Sequence, residues 1–468
     1  VRCWDTLIYN HLKKKHIVVP PREDQEKATQ YEGAYVKDPD LGLHKWIVSF
    51  DLNSLYPHLI MQYNISPETY YDVKTSGVNV DNMLSQQVNL KFAKDKNITM
   101  APNGAMFKRD KQGFLPELME KMYGDRVIYK KKMIEAKKEY EKTKDPIYKN
   151  EIARCHNIQM AKKIALNSAY GAIGNQYFRY FDVKQAEAIT LGGQLSIRWV
   201  ERDVNKFMNK VLGTDNQNYV VASDTDSIYI SMGKLVDKVC KDKTPQQIAD
   251  FLDKVSEQKL QKIIDGSFEH LADYVNAFEQ KMVMKREAIA NKGIWVAKKR
   301  YMLNLFDEEG IRYEYPKLKV MGVEAVKSST PEICRTKIKE AIRVIMNQNE
   351  DDLIKYVADF KEVFKTLSPE EVAFPRSCNN LMKFADSSSI YKKGTPIHVK
   401  GALIYNYYLH KHKLEMKYPI IKDGDKIKFL MLKLPNNIKD TVVSFSTKIP
   451  YEFDLHKYVD YDLQFQKT

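Results

Sequence analysis

Between Leu115 and about Asn175 the apolar residues recur at the three- and four-residue spacing of helices, interrupted once at KDPIY, and strand-like sequence lies on both sides. The pattern reads as a helical hairpin between strand-bearing segments, a mixture of class α+β. The segment from Tyr31 to about Gly113 reads as strands. Within KWIVSFD, residues Trp46, Val48 and Phe50 alternate with Ile47, Ser49 and Asp51, as in a half-buried strand. Past the hairpin, helix and strand mix to about Lys319. A mostly helical region with a hairpin-like end, GDKIKFLMLKLPNN, then reads as a separate terminal domain. Residues 1 to 30 read as the tail of a helix followed by a Pro-marked, charged linker, IVVPPREDQEK. The chain is long enough for two to four domains.

Charge concentrates in the same hairpin. The 468 residues carry 75 Lys and Arg against 61 Asp and Glu, a net +14. Between Lys108 and Lys163 the counts are 16 and 9, so half the surplus lies in those 56 residues. A face of this kind is either simply solvated or suited to an anion: nucleic acid, nucleotide or acidic membrane. The five cysteines (Cys3, Cys155, Cys240, Cys334 and Cys378) show no CxxC spacing, which argues against a zinc knuckle or a disulfide framework and for a reducing compartment. No apolar run reaches the roughly 18 residues that span a bilayer, and the first 20 residues, with HLKKKH among them, lack a signal-peptide core. The reading is a soluble, intracellular chain whose start at Val1 suggests a piece of something larger.

Two acidic elements flank the hairpin. In SFDLNSLYPHLI, Asp51 falls where a strand gives way to a Tyr-Pro turn, a position that suits a metal ligand and equally an ordinary strand-end Asp satisfying turn donors. In YVVASDTDSIYIS, Asp224 and Asp226 sit at the tip of a predicted β-hairpin, and residues two apart in extended chain face the same way. Exposed turns are rich in Asp and sugar-nucleotide transferases also use DxD, so neither element decides alone. Together, with a third carboxylate from a neighbouring strand, they would form a hard-oxygen site for two Mg²⁺ ions about 3.5–4 Å apart, which suits phosphoryl or nucleotidyl transfer. The hairpin between them offers the cations such chemistry needs. Lys163, Asn167, Tyr170 and Gly174 share one helical face, and Arg126 and Lys130 lie one turn apart on the preceding helix. Tyr56 is either a core aromatic or the floor of a bound sugar. KKRY, Lys298 to Tyr301, suits a segment that follows a nucleic-acid backbone, or a surface strand. Glu287 is an auxiliary acid or a salt-bridge partner of its neighbours.

In order along the chain, DLNSLYP, KKIALNSAYG and SDTDSIYIS resemble motifs A, B and C of family B DNA polymerases, and KKRY resembles that family's primer-template contact. Longer stretches, among them GAYVKDP, SFDLNSLYPHLIMQYNISPET, APNGAMF and KLKVMGVEAVKSSTP, resemble the T-even-type bacteriophage branch. The resemblance covers nearly the whole chain. It implies a right-hand architecture with an antiparallel-sheet palm at 31–114 and 176–320, helical-hairpin fingers at 115–175, a mostly helical thumb at 321–468, and a remnant at 1–30.

It also implies template-directed DNA synthesis. Asp51 and Asp226 would be the principal metal ligands, with Leu52 giving its carbonyl and Asp224 as an auxiliary acid, around two Mg²⁺ for which Mn²⁺ can substitute. Arg126, Lys130, Lys163, Asn167, Ser54 and Leu55 would bind the deoxynucleoside triphosphate, and Tyr56 would be the gate that rejects a 2′-hydroxyl. Tyr170 and Gly171 would line the nascent base pair, and Lys298, Lys299, Arg300 and Tyr301 would hold primer-template DNA. Three departures set further expectations. Only about 30 residues precede YEGAYV and they hold no exonuclease-type acidic set, so proofreading is expected either to come from elsewhere, such as a separate exonuclease or N-terminal chain, or to be missing. The fingers hairpin is shorter than in the T-even branch. The end, DYDLQFQKT, stops short of a hydrophobic clamp-binding tail, so sliding-clamp binding is not expected. No membrane partner is expected. The competing classes are a non-enzymatic nucleic-acid-binding module and a DxD sugar-nucleotide transferase, and the latter leaves the basic hairpin and KKRY unexplained.

Overall fold

The computed structural model describes residues 1–23, 26, 30–74 and 76–467, apart from the side chain of Glu141. Asp24, Gln25 and Lys27–Thr29, within the segment read as a charged linker, lie outside the described residues. The chain forms two compact units, Val1–Lys298 with Leu305–Lys317, and Lys299–Asn304 with Leu318–Thr468.

The first unit is built on strand β1 (Gly42–Leu52). The expected half-buried alternation is not what forms: Trp46, Ile47, Val48, Ser49 and Phe50 are all buried, so both sides of the strand are covered. That is the pattern of a central strand. Helix α1 (Arg2–Lys14) precedes it, and α2 (Leu55–Tyr63) follows it directly. The strand-like reading of 31–113 therefore holds for its strands but not for Leu55–Tyr63, where a helix stands in place of the expected Tyr-Pro turn. Pro57 lies in the first turn of α2, where its missing N–H has no helical partner to lose. A small sheet, in the order β2 (Tyr70–Val73), β4 (Ala105–Lys108), β3 (Ile98–Met100), completes this stretch.

The long helices α3 (Phe114–Thr143) and α4 (Ile147–Ile173) pack together as the hairpin, turning where Lys144 adopts a left-handed backbone and Pro146 opens the second helix. Asp125 on α3 pairs with Lys162 on α4 at 3.0 Å. Helix α1 braces the hairpin: Trp4 is buried, and its indole N–H donates to the Ala165 carbonyl and Ser168 Oγ, both at 3.0 Å. Helix α5 (Val183–Leu212) starts at Asp182, whose carboxylate accepts from the Lys184 and Gln185 N–H groups, and ends at Gly213 with φ +69°.

Strands β5 (Val220–Asp224) and β6 (Ser227–Ser231) form the predicted hairpin. Helix α6 (Pro245–Val255) runs through a π-helical turn, Ser256–Leu260, into α7 (Gln261–Tyr274). With β7 (Met284–Ala297), β8 (Arg300–Glu308) and β9 (Ile311–Met321) the main sheet has the order β5-β6-β1-β7-β8-β9, and β1 is antiparallel to both its neighbours.

The second unit carries α8 (Glu332–Asn347), α9 (Glu350–Thr366) and α10 (Ile397–Lys411) around an antiparallel sheet ordered β10 (Phe374–Ser377), β11 (Lys426–Met431), β12 (Val442–Phe445). The hairpin-like end expected at GDKIKFLMLKLPNN is thus β11, the centre of a sheet. Its buried face meets Phe364, Ala402, Tyr405 and Leu409 in a separate core. Among the described residues no helix is long and apolar enough to cross a membrane.

Candidate active site

The pairing of β1 with β6 sets Asp51 opposite Ser227, so the end of the central strand meets the tip of the β5–β6 hairpin. The Leu52 N–H donates to the Asp226 carbonyl at 2.7 Å and fixes this junction. Asp51, Leu52 and Asp226 line one cavity of about 860 Å³ within the first unit, and Arg126 and Lys130 of α3, with Lys163 and Asn167 of α4, line it too. Residues from four separated parts of the sequence converge there. Ser54, Leu55, Tyr56 and Glu287 also contribute to the wall.

Asp224 does not. The two aspartates were expected to face the same way, but Thr225 between them has φ +58°, and the Asp226 N–H folds back onto the Asp224 carbonyl at 2.6 Å. The turn breaks the extended geometry on which that expectation rested. Asp224 stays at the end of β5, paired with Ser227 and bridged to Val36, and takes a hydrogen bond from Thr225 Oγ1.

Burial pushes the Asp226 carboxyl up to about 6; Asp224 and Glu287 add to the rise, while a backbone hydrogen bond and Lys163 oppose it. A buried, under-neutralised carboxylate is what a bound cation would relieve. Among the described residues no three His, Cys, Asp or Glu side chains are gathered as a cage for a metal ion. Magnesium does not need one, since it binds through one or two carboxylates and completes its shell with water and substrate phosphates. Asp51, Asp226 and the Leu52 carbonyl are a donor set of that kind, so the residues present fit the ion.

The cationic wall is equally incomplete on its own. Arg126 donates from Nη1 to Ser54 Oγ at 2.6 Å, while its buried Nε has no hydrogen-bond partner among the described residues. Lys130 pairs with Glu309 at 3.1 Å. Ser54 begins α2, but its hydroxyl does not cap the helix, so the first N–H groups of α2 receive no side-chain acceptor from it. Tyr56 lies against Tyr170, ring centroids 4.7 Å apart, and Tyr170 meets Tyr31 edge-on. Tyr170 and Gly171 are not among the cavity-lining residues, although the Tyr56 contact brings Tyr170 beside them.

None of the KKRY residues lines this cavity. Lys298 and Lys299 form the turn between β7 and β8, with Lys299 at φ +60°. Lys298 pairs with Asp38 at 3.0 Å, Arg300 with Glu324 at 2.6 Å, and the Tyr301 ring is buried.

Sequence reasoning missed Glu257 and Gln261, carried in at the π-helical turn and the start of α7, and Glu309 and Gly310 at the β8–β9 turn. The only local signal was EEG at 308–310, a turn tripeptide; Gly310 indeed has φ +80°. Lys285 and Arg286, beside Glu287 on β7, also line the cavity. Arg286 is fixed from behind by Asp253 at 3.0 Å and by the buried Asp307.

Strand-end and hairpin aspartates facing a basic helical pair are an arrangement suited to handling a nucleoside triphosphate. The chain belongs to DNA polymerase family B, whose family model matches residues 2–461. It is 33% identical to the DNA-directed DNA polymerase of Escherichia phage RB69 and 31% identical to that of Enterobacteria phage T4, in each case over 100% of this chain and 57% of the relative. It is 30% identical to DNA polymerase 1 of Pyrococcus abyssi over 73% of this chain and 35% of that protein. The chain thus spans a little over half the length of its phage relatives.

Proposed function

We propose that this chain is a template-directed DNA polymerase that adds deoxynucleotides to a primer 3′ end. The observation that carries the reading is the single cavity shared by Asp51, Asp226, Arg126, Lys130 and Lys163. In this reading residues 31–114 and 176–320 are the palm, 115–175 the fingers and 321–468 the thumb, with 1–30 leading into the palm.

Asp51 and Asp226, with the Leu52 carbonyl, hold two Mg²⁺, or Mn²⁺ in their place, which supply positive charge at the reacting oxygens and phosphates. The chain's own groups do the positioning. Arg126 presents its guanidinium to the triphosphate from the cavity wall, Lys163 supplies a point charge, and the N–H groups of Leu55 and Tyr56 face the phosphates at the start of α2. Lys130 joins them by leaving Glu309. That exchange is easy, because partly exposed pairs of this kind contribute only about 0–1 kcal/mol. The Tyr56 ring lies under the sugar and crowds a 2′-hydroxyl, Asn167, Tyr170 and Gly171 border the base pair, and Glu287 is an auxiliary acid. Lys298, Lys299 and Arg300 contact the DNA backbone, with Tyr301 supporting them from the core.

Primer extension tests this. The chain, a labelled primer-template, deoxynucleotides and Mg²⁺ should give elongation. Asp51→Asn or Asp226→Asn should each slow it on the order of 1,000-fold, with primer-template affinity nearly unchanged. Undiminished synthesis by either variant would overturn the assignment, and a wild type that binds DNA without elongating it would be a binding module.

A further inference from the structure

His58 lies one turn into α2, is only 5% exposed, and is no part of the cavity wall. It is nonetheless joined to that wall twice. Its Nδ1 is 2.9 Å from the carbonyl oxygen of Ser54, and its backbone N–H donates to the same oxygen at 3.2 Å. Its ring stands edge-on to Tyr123, centroids 4.4 Å apart, on the face of α3 that presents Arg126 three residues later.

Ser54 needs such support. Its backbone is left-handed, φ 50° and ψ 59°, an unfavourable conformation for a residue with a Cβ that persists where its surroundings hold it. A serine at a helix start would ordinarily turn its hydroxyl onto the helix N–H groups; here Oγ accepts from Arg126 instead. A carbonyl can receive Nδ1 only as a donor. Burial keeps the imidazole below its ordinary pKa, with the Ser54 bond opposing and Lys281 and Arg126 adding to the effect, which favours the neutral ring with its proton on Nδ1.

We infer that His58 is a positioning residue for the incoming triphosphate: its Nδ1–H locks the Ser54 carbonyl, and with it the Ser54 hydroxyl that aims the Arg126 guanidinium into the cavity. The inference rests on the polymerase reading and adds to it a residue that touches neither substrate nor metal. The bond and the ring contact are separable. His58→Phe keeps a ring against Tyr123 and loses the donor. His58→Ser loses the ring but can return a hydroxyl to the carbonyl four residues back.

The test measures binding of a deoxynucleoside triphosphate to the chain on a dideoxy-terminated primer-template, beside steady-state extension and melting temperature. His58→Phe should raise the triphosphate Kd and KM about five- to tenfold, the scale of one lost buried hydrogen bond. Its kcat and primer-template affinity should stay within about twofold. His58→Ser should stay within about threefold of wild type in Kd despite a lower melting temperature. If His58→Phe does not fold, His58→Leu replaces it with the same expectation. Unchanged triphosphate affinity in the donorless variant, with wild type extending normally, overturns the role of His58 alone. A Ser variant as impaired as Phe, or a loss confined to kcat, also overturns it. A wild type that binds no triphosphate overturns both readings.

Discussion

Asp226 is the residue at which stability and the proposed function pull in opposite directions. Its carboxyl titrates near 6 in the fold rather than at its ordinary 3.8, so between those pH values the folded chain holds a proton that the unfolded chain has lost. Stability therefore falls as pH rises from about 4 to 6, and above 6 the ionised side chain costs about 2–3 kcal/mol. Metal-free Asp226→Asn should accordingly be more stable than wild type above pH 6 by about that amount and indistinguishable below pH 4. Denaturant melts across pH check this, and Mg²⁺ should narrow the gap by stabilising only the wild type. Much of this site was legible in sequence. Asp51 stood at a strand end and Asp226 at a hairpin tip, and Lys163 and Asn167 shared a helical face by spacing alone. The separate behaviour of Asp224 was not legible, because one left-handed residue, Thr225, undoes the two-residue alternation. Glu257 left no local signal and Glu309 only a turn tripeptide, because it is the three-dimensional path of α6–α7 and of the β8–β9 turn that brings them in.

Elements differed in how clearly they announced themselves. The α3–α4 hairpin was readable because each helix keeps one side in solvent and so preserves a helical period. Helix α2 was not: every residue in it except Tyr56 is buried, which leaves no polar stripe to show the period, and Pro57 reads as a turn. Strand β1 was recognised, but its burial on both sides was not. In the second unit, the approach of α10 to β12 depends on Gly401. A Cβ there would lie 2.5 Å from Ser444 Oγ, 2.8 Å from the Ser444 backbone nitrogen and 3.0 Å from the Val443 carbonyl carbon. Ser444 is held in place by its hydroxyl donating to the His398 carbonyl at 2.8 Å, so it cannot simply turn aside. Gly401→Ala should destabilise the second unit by about 1–3 kcal/mol or more despite alanine's better helix propensity. Calorimetry should show that transition moving to lower temperature, while a neutral or stabilising effect would mean that α10 and β12 can separate at little cost.

At the scale of the molecule, the surplus of 14 positive charges sets how the chain meets a polyanion. Affinity for duplex DNA should fall steeply with salt, each phosphate contact adding roughly 0.9 to the slope of log K against log[salt]. Lys298→Ala with Lys299→Ala should reduce that slope by about 2 if both contact phosphates, and fluorescence anisotropy at several salt concentrations measures it. The charge was plain in the sequence; the exchange of chain between the two units was not, since no composition change marks residues 298, 304 or 317. That exchange has a practical consequence. The backbone passes from one unit to the other three times, at 298/299, 304/305 and 317/318. No single cut therefore frees either unit intact, and anyone grafting the C-terminal portion onto another scaffold must carry residues 299–304 as a second, discontinuous insert.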